Sequence, residues 1–96
     1  HLIHLVVSGP DEGKVRDAAA AIGLPLSRSA FPGEILGPAP APIPKLRGMH
    51  RWHLVLKGPD AAAMVREVRT ALSAGRSSWR SKDVRLSVDV GPVSMM

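Results

Sequence analysis

The sequence predicts an α+β fold in which one antiparallel sheet carries two helices on the same face. The main observation is an internal repeat: residues 5–11 read LVVSGPD, and residues 54–60 read LVLKGPD. In both copies an apolar strand is joined through Gly-Pro-Asp to a segment with helical periodicity. Two such halves give the order β-α-β-β-α-β, which is that of a ferredoxin-like two-layer sandwich.

Each element has its own signal. The first strand is expected over residues 2–8, where apolar side chains recur at every second position. The first helix is expected from Pro10 to Ile22, and Gly23 and Pro25 are expected to end it. The same reasoning predicts strands at 33–37, 50–57 and 83–90, and a second helix from Pro59 to Ser73 that ends at Gly75.

Alternation along the strands assigns their side chains to two faces. The face against the helices is expected to carry Ile3, Leu5, Val7, Trp52, Leu54, Leu56, Val84, Leu86, Val88 and Val90. The opposite face, called the open face below, is expected to carry His4, Arg51, His53, Lys57 and Arg85. A basic face without aromatic rings lacks the stacking platform of an RNA-recognition motif. It favours contacts to the backbone of a nucleic acid that tolerate any base sequence.

The charge of the chain is positive and unevenly distributed. The net charge is +5, and ten of the thirteen Lys and Arg residues lie between Lys45 and Arg85, together with three of the eight acidic residues. A basic region of this kind favours a polyanionic partner, most often nucleic acid, over the alternative of a merely solvated surface. Cysteine is absent from the sequence, which fits a cytoplasmic location and excludes thiolate metal sites.

The 96 residues are enough for a single domain, 1–96, and a chain that starts at His1 without methionine is expected to be part of a larger protein. No apolar run approaches the roughly 18 residues that a membrane helix needs, and there is no signal-peptide pattern.

A proline-rich segment is the most specific local feature of the sequence. Every second residue is proline at Pro38, Pro40, Pro42 and Pro44. Because proline fixes φ and lacks a backbone donor, the segment is excluded from a helix and from a central strand. We expect a stiff extended arm that delivers Lys45, Arg47 and Arg51 to phosphate groups. The alternative is a rigid linker with a charged end.

A second candidate binding segment lies at residues 75–82, where Arg76, Arg80 and Lys82 surround Trp79. The indole is expected either to stack on an unpaired base or, as is more frequent, to fold back onto its own domain. With four or five phosphate contacts, the affinity for DNA should fall by roughly 100-fold between about 50 and 200 mM salt.

Catalytic chemistry is not expected from these residues. The sequence has neither a nucleophile elbow nor a Walker-type phosphate loop. His50 and His53 fall on opposite faces of a strand and therefore cannot share a metal ion. No catalytic residue, metal ligand or cofactor is predicted.

Four motifs together resemble the C-terminal domain of the primosomal protein N′ family of replication-restart helicases. They are GPAPAPI at 37–43, LRG at 46–48, the pair Arg51-Trp52, and VDV at 88–90 followed by Pro92. The order and spacing of the matches cover residues 36–92. The proline arm joined to Arg-Gly-x-x-Arg-Trp is the most specific part, and the last motif alone would be weak.

The resemblance implies a fold like that of ribosomal protein S10. It also implies a DNA-binding, non-catalytic domain that helps the parent helicase bind forked or single-stranded DNA, and that contacts the single-stranded DNA-binding protein and other primosome proteins. ATP and zinc would belong to upstream domains of the family. The sequence departs from the family at Gly91, where the second Asp of the terminal motif is expected. If that carboxylate caps a neighbouring element in the family, the cap is lost in this chain.

Two other functions stay open at this point. The chain is either a protein-interaction module that docks on the parent helicase core or on the single-stranded DNA-binding protein, or a small-molecule regulatory domain. Asp11 and Asp60 make the second unfavourable, because they put negative charge where an anionic ligand would sit.

Overall fold

Six elements follow one another in the predicted order. A computed structural model describes residues 1–28, 31–74, 79–80 and 83–91. The elements are β1 (Leu2–Gly9), α1 (Glu12–Arg28), β2 (Glu34–Leu46), β3 (Met49–Lys57), α2 (Ala61–Ala74) and β4 (Arg85–Gly91). The strands form one sheet in the order β2-β3-β1-β4, and every neighbouring pair is antiparallel. The ferredoxin-like α+β prediction is confirmed.

The two Gly-Pro-Asp turns end in matching helix caps. Asp11 Oδ1 accepts a hydrogen bond from the backbone N–H of Lys14 at 3.2 Å, and Asp60 Oδ1 accepts one from Ala63 at 3.1 Å. Each aspartate therefore satisfies a backbone donor of the first helical turn and places negative charge at the positive end of the helix dipole. The helices begin just after these residues, so the two prolines lie outside them and not in their first turns as predicted.

Helix α1 does not end at Gly23, as the sequence led us to expect, but continues through Pro25 to Arg28. Gly23 serves close packing instead, because a Cβ there would lie 3.1 Å from Cδ2 of Leu54 and 3.3 Å from Cδ of Pro38. A side-chain hydrogen bond stabilises the last turn, since Ser27 Oγ donates to the carbonyl of Gly23 at 3.0 Å. Neither described helix combines the length and apolar character needed to cross a bilayer.

The core lies between the helices and the sheet. Its fully buried side chains include Ile3, Leu5, Val7, Val15, Ile22, Leu26, Leu54, Leu56 and Met64. Trp52 and Leu86 are partly buried against this cluster, as expected. Burial of each Leu or Ile contributes about 1.5–3 kcal/mol relative to leaving it exposed.

Val88 and Val90 lie on the helix side of the sheet, as alternation along the strand predicts, but they are not buried there. They lie opposite Leu5 and Ile3 of β1 and therefore share the helix side of the sheet, yet they remain 45% and 48% exposed. The physical reason is that β4 is an edge strand, while α1 packs over β1, β2 and β3 and α2 packs beside it over β1.

Strand β2 is much longer than predicted, because the proline arm belongs to it. The arm lies along β3 at the edge of the sheet, and the register slips between Leu36 and Ala39 and again between Pro40 and Lys45. An edge strand tolerates proline because the missing N–H groups need no partner strand. The arm is extended, as expected, but it is one strand of a β-hairpin and not a linker between two halves.

Candidate nucleic-acid interface

The pairing of β1 with both of its neighbours places two arginines in one row across the open face. Ser8 lies opposite Arg51 of β3 on one side and opposite Arg85 of β4 on the other. Directly opposed residues share a face of the sheet, so both guanidinium groups project from the same side. With strands about 4.8 Å apart, their Cα atoms are separated by roughly 10 Å.

A tight turn joins β2 to β3 at the same end of the sheet. Leu46 pairs with Met49, so Arg47 and Gly48 alone form the loop, with φ of 54° and 78°. Positive φ at both central residues is the signature of a type I′ turn, whose twist suits a hairpin. A Cβ at Gly48 would meet nothing within 4 Å, so backbone conformation and not space favours glycine there.

Residues 45–50, called the hairpin tip below, start level with the last residue of β1 and extend beyond it. The pairing of β1 with β3 ends at Gly9 and His50. Lys45 and Arg47 are both exposed at this tip. The structure therefore brings the cations that follow the proline arm close to the row formed by Arg51 and Arg85.

Arg51 has a structural role in addition to its positive charge. Its Nη1 donates a hydrogen bond of 3.2 Å to the carbonyl of Ile43, within the stretch where β2 slips in register against β3. A guanidinium carries five N–H donors, and this bond uses one of them. Arg51 thus fastens the irregular part of the proline arm while keeping donors for another ligand.

Acidic side chains occupy the other half of the open face. Asp89 lies opposite His4, and Glu34 lies opposite Lys57 at the end of the sheet farthest from the hairpin tip. The expected basic open face is therefore of mixed charge at the end farthest from the hairpin tip, where Glu34 lies opposite Lys57. Among the described residues the ion pairs are Lys14–Asp83 at 3.0 Å and Arg16–Asp17 at 3.6 Å, and neither involves a cation of the hairpin tip or of the arginine row.

Two histidines meet in the middle of the open face. His4 Nε2 and His53 Nδ1 are 2.8 Å apart and share a hydrogen bond. Burial first, then the nearby His4 and Arg51, lower the pKa of His53 below its ordinary value. His50 belongs to the other side of β3, as predicted, and in the described chain no three His, Asp or Glu side chains are placed to hold a metal ion.

The second predicted segment is only partly described, since Arg76 and Lys82 lie outside the described residues. Trp79 packs partly buried against the core, and its Nε1 donates a hydrogen bond of 2.9 Å to the carbonyl of Leu72. The indole thus folds back onto its own domain, which is the more frequent of the two expected outcomes. Trp79 and exposed Arg80 line a shallow cavity of about 230 Å³ with Arg69, Leu72 and Ser73.

This cavity lies at the same end of the molecule as the hairpin tip. Helix α2 starts after the far end of β3 and runs back, and β4 then begins at Arg85, opposite Ser8. Arg80 precedes that strand by a few residues, so this described cation of the second segment lies toward the same end of the sheet as the hairpin tip.

Two features of the site were not predicted from the sequence. Arg85 was expected on the open face but not among the phosphate-binding residues, because only the register shows that Arg51 is in its row. The hairpin was missed because its turn is Arg-Gly, whereas type I′ turns usually carry Asn-Gly or Asp-Gly. Gly48 was the one signal that could have revealed the turn.

Comparison with known proteins agrees with this architecture. The chain is similar to the replication restart protein PriA of Haemophilus influenzae, with 36% identity over 59 residues that make up 62% of this chain and 8% of that protein. The chain thus spans less than a tenth of the length of this relative. A de novo designed protein, Foldit4, has a similar fold, with a TM-score of 0.65, 18% identity and coverage of 92% of this chain and 91% of the other.

A family model described as the primosomal protein N C-terminal domain matches residues 1–93, which is nearly the whole sequence. The resemblance carried by the proline arm and the motifs around it is thereby confirmed, and the chain belongs to the family of primosomal protein N C-terminal domains.

Proposed function

We propose that this chain is a non-catalytic DNA-binding domain of a replication-restart protein and that it holds forked or single-stranded DNA by the sugar-phosphate backbone. Membership of the primosomal protein N family supports the role in replication restart. We assign helicase activity, and the binding of ATP and zinc, to other parts of a cytoplasmic parent protein, because the chain spans only 8% of its PriA relative.

The observation that carries the proposal is the concentration of cations at one end of the sheet. Arg51 and Arg85 stand in one row of the open face, and Lys45 and Arg47 project from the adjoining hairpin tip. None of these four forms an ion pair with a described carboxylate. Cations that are not paired with a described carboxylate are suited to phosphates, and arginine binds them in bidentate fashion.

The described part of the open face supports binding that tolerates any base sequence. Trp52 faces the helices and Trp79 is held against α2, so neither ring projects from the middle of the open face. Recognition of single-stranded RNA by a sheet surface depends on such rings. Contacts to phosphate position a protein on nucleic acid without reading its bases.

A second candidate function is protein interaction, and the uncovered side of β4 favours it. Val88 and Val90 are exposed next to each other on the helix side of this edge strand. This surface suits docking on the parent helicase core or on the single-stranded DNA-binding protein. Both functions are compatible, because Val88 and Val90 face away from the open face.

The test is a titration of the chain with labelled fork, duplex and single-stranded DNA at about 50 and about 200 mM salt. Four phosphate contacts predict that affinity falls roughly 100-fold between these conditions. The double variant Arg51→Gln and Arg85→Gln should weaken binding to all sequences alike and reduce the salt slope by about 2. Glutamine at position 51 keeps a donor for the carbonyl of Ile43.

The matched control is Arg28→Gln with Arg66→Gln, which removes the same charge from exposed helical positions. Arg28 lies in the last turn of α1, at the end away from the hairpin tip. If the control weakens binding as much as the test variant, the interaction reflects net charge and not this site. Affinity that does not change with salt would also contradict the proposal.

A further inference from the structure

The hairpin tip carries apolar side chains in an unusual place, and they suggest a more specific interaction. We infer that Leu46, supported by Met49, forms an apolar wedge that inserts at the last base pair where a duplex opens into single strands and unstacks that pair from its neighbour. The inference rests on the proposed DNA binding and adds a contact to the bases at a fork junction.

The side chain of Leu46 is exposed next to the turn. It is 48% exposed, it pairs directly with Met49, and both residues lie beyond the end of β1. Nearby Ile43 is also exposed, at 54%. An exposed leucine directly opposite a partly exposed methionine forms a small apolar surface that is available for contact with another molecule.

Positively charged residues flank the wedge on both faces of the hairpin and in its turn. Met49 has the same parity as Arg51, so Leu46 and Met49 lie on the open face about 7 Å from the arginine row. Lys45 pairs with His50 on the opposite side of the hairpin. Arg47 occupies the turn itself.

This combination favours a nucleic-acid junction over an apolar groove of a protein. Aliphatic side chains such as leucine and methionine act as wedges between bases, and the unstacking they cause is offset by contacts of the same protein to the flanking phosphates. The cations on both sides of Leu46 are placed to supply those contacts. A junction is favoured over continuous duplex because its last base pair has one open face.

The wedge also has a rigid support, which such a role requires. The turn has defined φ values of 54° and 78°, and the bond from Arg51 to the carbonyl of Ile43 fastens β2 to β3 just below the tip. Leu46 is therefore held in position before DNA binds, and binding requires little further ordering of the hairpin tip.

The experiment uses the 96-residue chain and a forked DNA with 2-aminopurine at the last base pair of the duplex arm. This base fluoresces more strongly when it is unstacked. We expect the wild-type chain at saturation to raise the signal, and Leu46→Ala to return it to the level of free fork DNA. The variant should also bind the fork about 5- to 10-fold more weakly, with unchanged affinity for duplex without a junction.

Two matched controls separate the wedge from other effects. Leu46→Met keeps an apolar side chain and should keep the fluorescence change. Leu24→Ala removes a leucine that is 51% exposed on α1, away from the tip, and should behave as wild type. Circular dichroism establishes that each variant is folded.

The outcomes distinguish the wedge from DNA binding itself. If Leu46→Ala binds the fork and changes the fluorescence as wild type does, the wedge is overturned while the proposed function stands. An equal loss of affinity for fork and plain duplex also overturns the wedge. If the wild-type chain binds no DNA at low salt, the proposed function fails, and the wedge fails with it.

Discussion

His4 and His53 are joined by a hydrogen bond of 2.8 Å across the two central strands of the sheet. Their rings meet edge to face, with centroids 5.0 Å apart and planes inclined by 73°. A bond between two imidazoles requires that one nitrogen accepts and is therefore unprotonated. Burial, His4 and Arg51 lower the pKa of His53 from 6.5, so the surroundings favour a neutral ring at this position.

We expect the chain to lose stability as the pH falls below about 6.5. The pKa of His53 is lower in the folded state than in the unfolded chain, so the unfolded chain takes up the proton first. The stabilisation is fully present above the unfolded pKa and is lost as the pH falls through the folded pKa. Thermal melts at about pH 7.5 and about pH 5 measure the effect.

The control for the histidine pair is His53→Asn, which can still accept a hydrogen bond from His4 but does not titrate. Its melting temperature should change less between the two pH values than that of the wild type. A ring titration of wild-type His53 by NMR should give a pKa below 6.5. Equal losses of stability in both proteins would assign the pH dependence to other groups.

The hydrogen bond of Trp79 predicts a structural role for its indole. Trp79→Phe keeps an aromatic ring but removes the donor to the carbonyl of Leu72. We expect the free energy of unfolding to fall by about 1 kcal/mol, the usual net contribution of one such bond. DNA affinity should stay within about twofold, since the ring at position 79 packs against its own domain and not on a base. Urea unfolding followed by Trp52 fluorescence, together with a DNA titration, measures both.

Trp79→Leu serves as the companion to this variant. If the indole stacks on a base, removal of the aromatic ring should weaken binding to single-stranded DNA far more than binding to duplex. If the ring serves the fold, Trp79→Leu should affect stability and leave the ratio of the two affinities unchanged. A selective loss for single strands would restore the stacking hypothesis for Trp79.

Much of the fold could be predicted because its signals are local and repeated. The Gly-Pro-Asp turns, the two apolar helix stripes and the alternation along β1 and β3 each depend on residues that are close in sequence. Gly23 and Pro25 led to a wrong prediction of the end of α1, because glycine and proline also occur within helices. A glycine within a helix also serves close packing, and here the packing against Leu54 decides the outcome.

The site could be predicted only in part, because its geometry depends on register. Arg51 and Arg85 are 34 positions apart in sequence, and they become neighbours only through their common partner Ser8. The place of Glu34 at the far end of the open face was missed for the same reason, since its pairing with Lys57 requires the position of β2. Local patterns indicate which face a side chain takes, but not which residues lie beside it.

The ion pair between Lys14 and Asp83 limits the positive charge at the end of the sheet that carries the hairpin tip. Asp83 accepts a hydrogen bond of 3.0 Å from Lys14 Nζ and raises the pKa of that amine. Asp83→Asn removes a negative charge close to Arg85 and releases Lys14 for contact with phosphate. We expect tighter DNA binding at low salt and a salt slope steeper by about 0.9, measured by titration at several salt concentrations.

Glu34→Gln is the matched control for this change. It removes the same charge at the far end of the open face, opposite Lys57. Its effect on DNA affinity should be smaller, because charges separated by more than about 10 Å are largely screened at about 0.1 M salt. Equal gains from Asp83→Asn and Glu34→Gln would show that total charge, and not the end at which it lies, controls the affinity.

A substitution at Arg47 is expected to change the stability of the hairpin and its DNA affinity in opposite directions. Arg47 has φ of 54°, a left-handed conformation that costs most residues about 1–2 kcal/mol but is tolerated by asparagine. Arg47→Asn also creates the Asn-Gly pair that type I′ turns favour. We therefore expect a gain of about 0.5–1 kcal/mol in the free energy of unfolding, together with weaker DNA binding and a salt slope reduced by about 1.

The comparison for Arg47→Asn is Lys45→Asn, which removes the same charge from β2, where asparagine gains nothing from the turn. It should weaken DNA binding to a similar extent without raising stability. Urea unfolding and DNA titration of both variants measure the two effects separately. If Arg47→Asn lowers stability, Arg47 makes contacts in the folded chain that exceed the strain of its backbone. If it leaves DNA affinity unchanged, the hairpin tip does not contact phosphate, and the wedge would lose the cation closest to it.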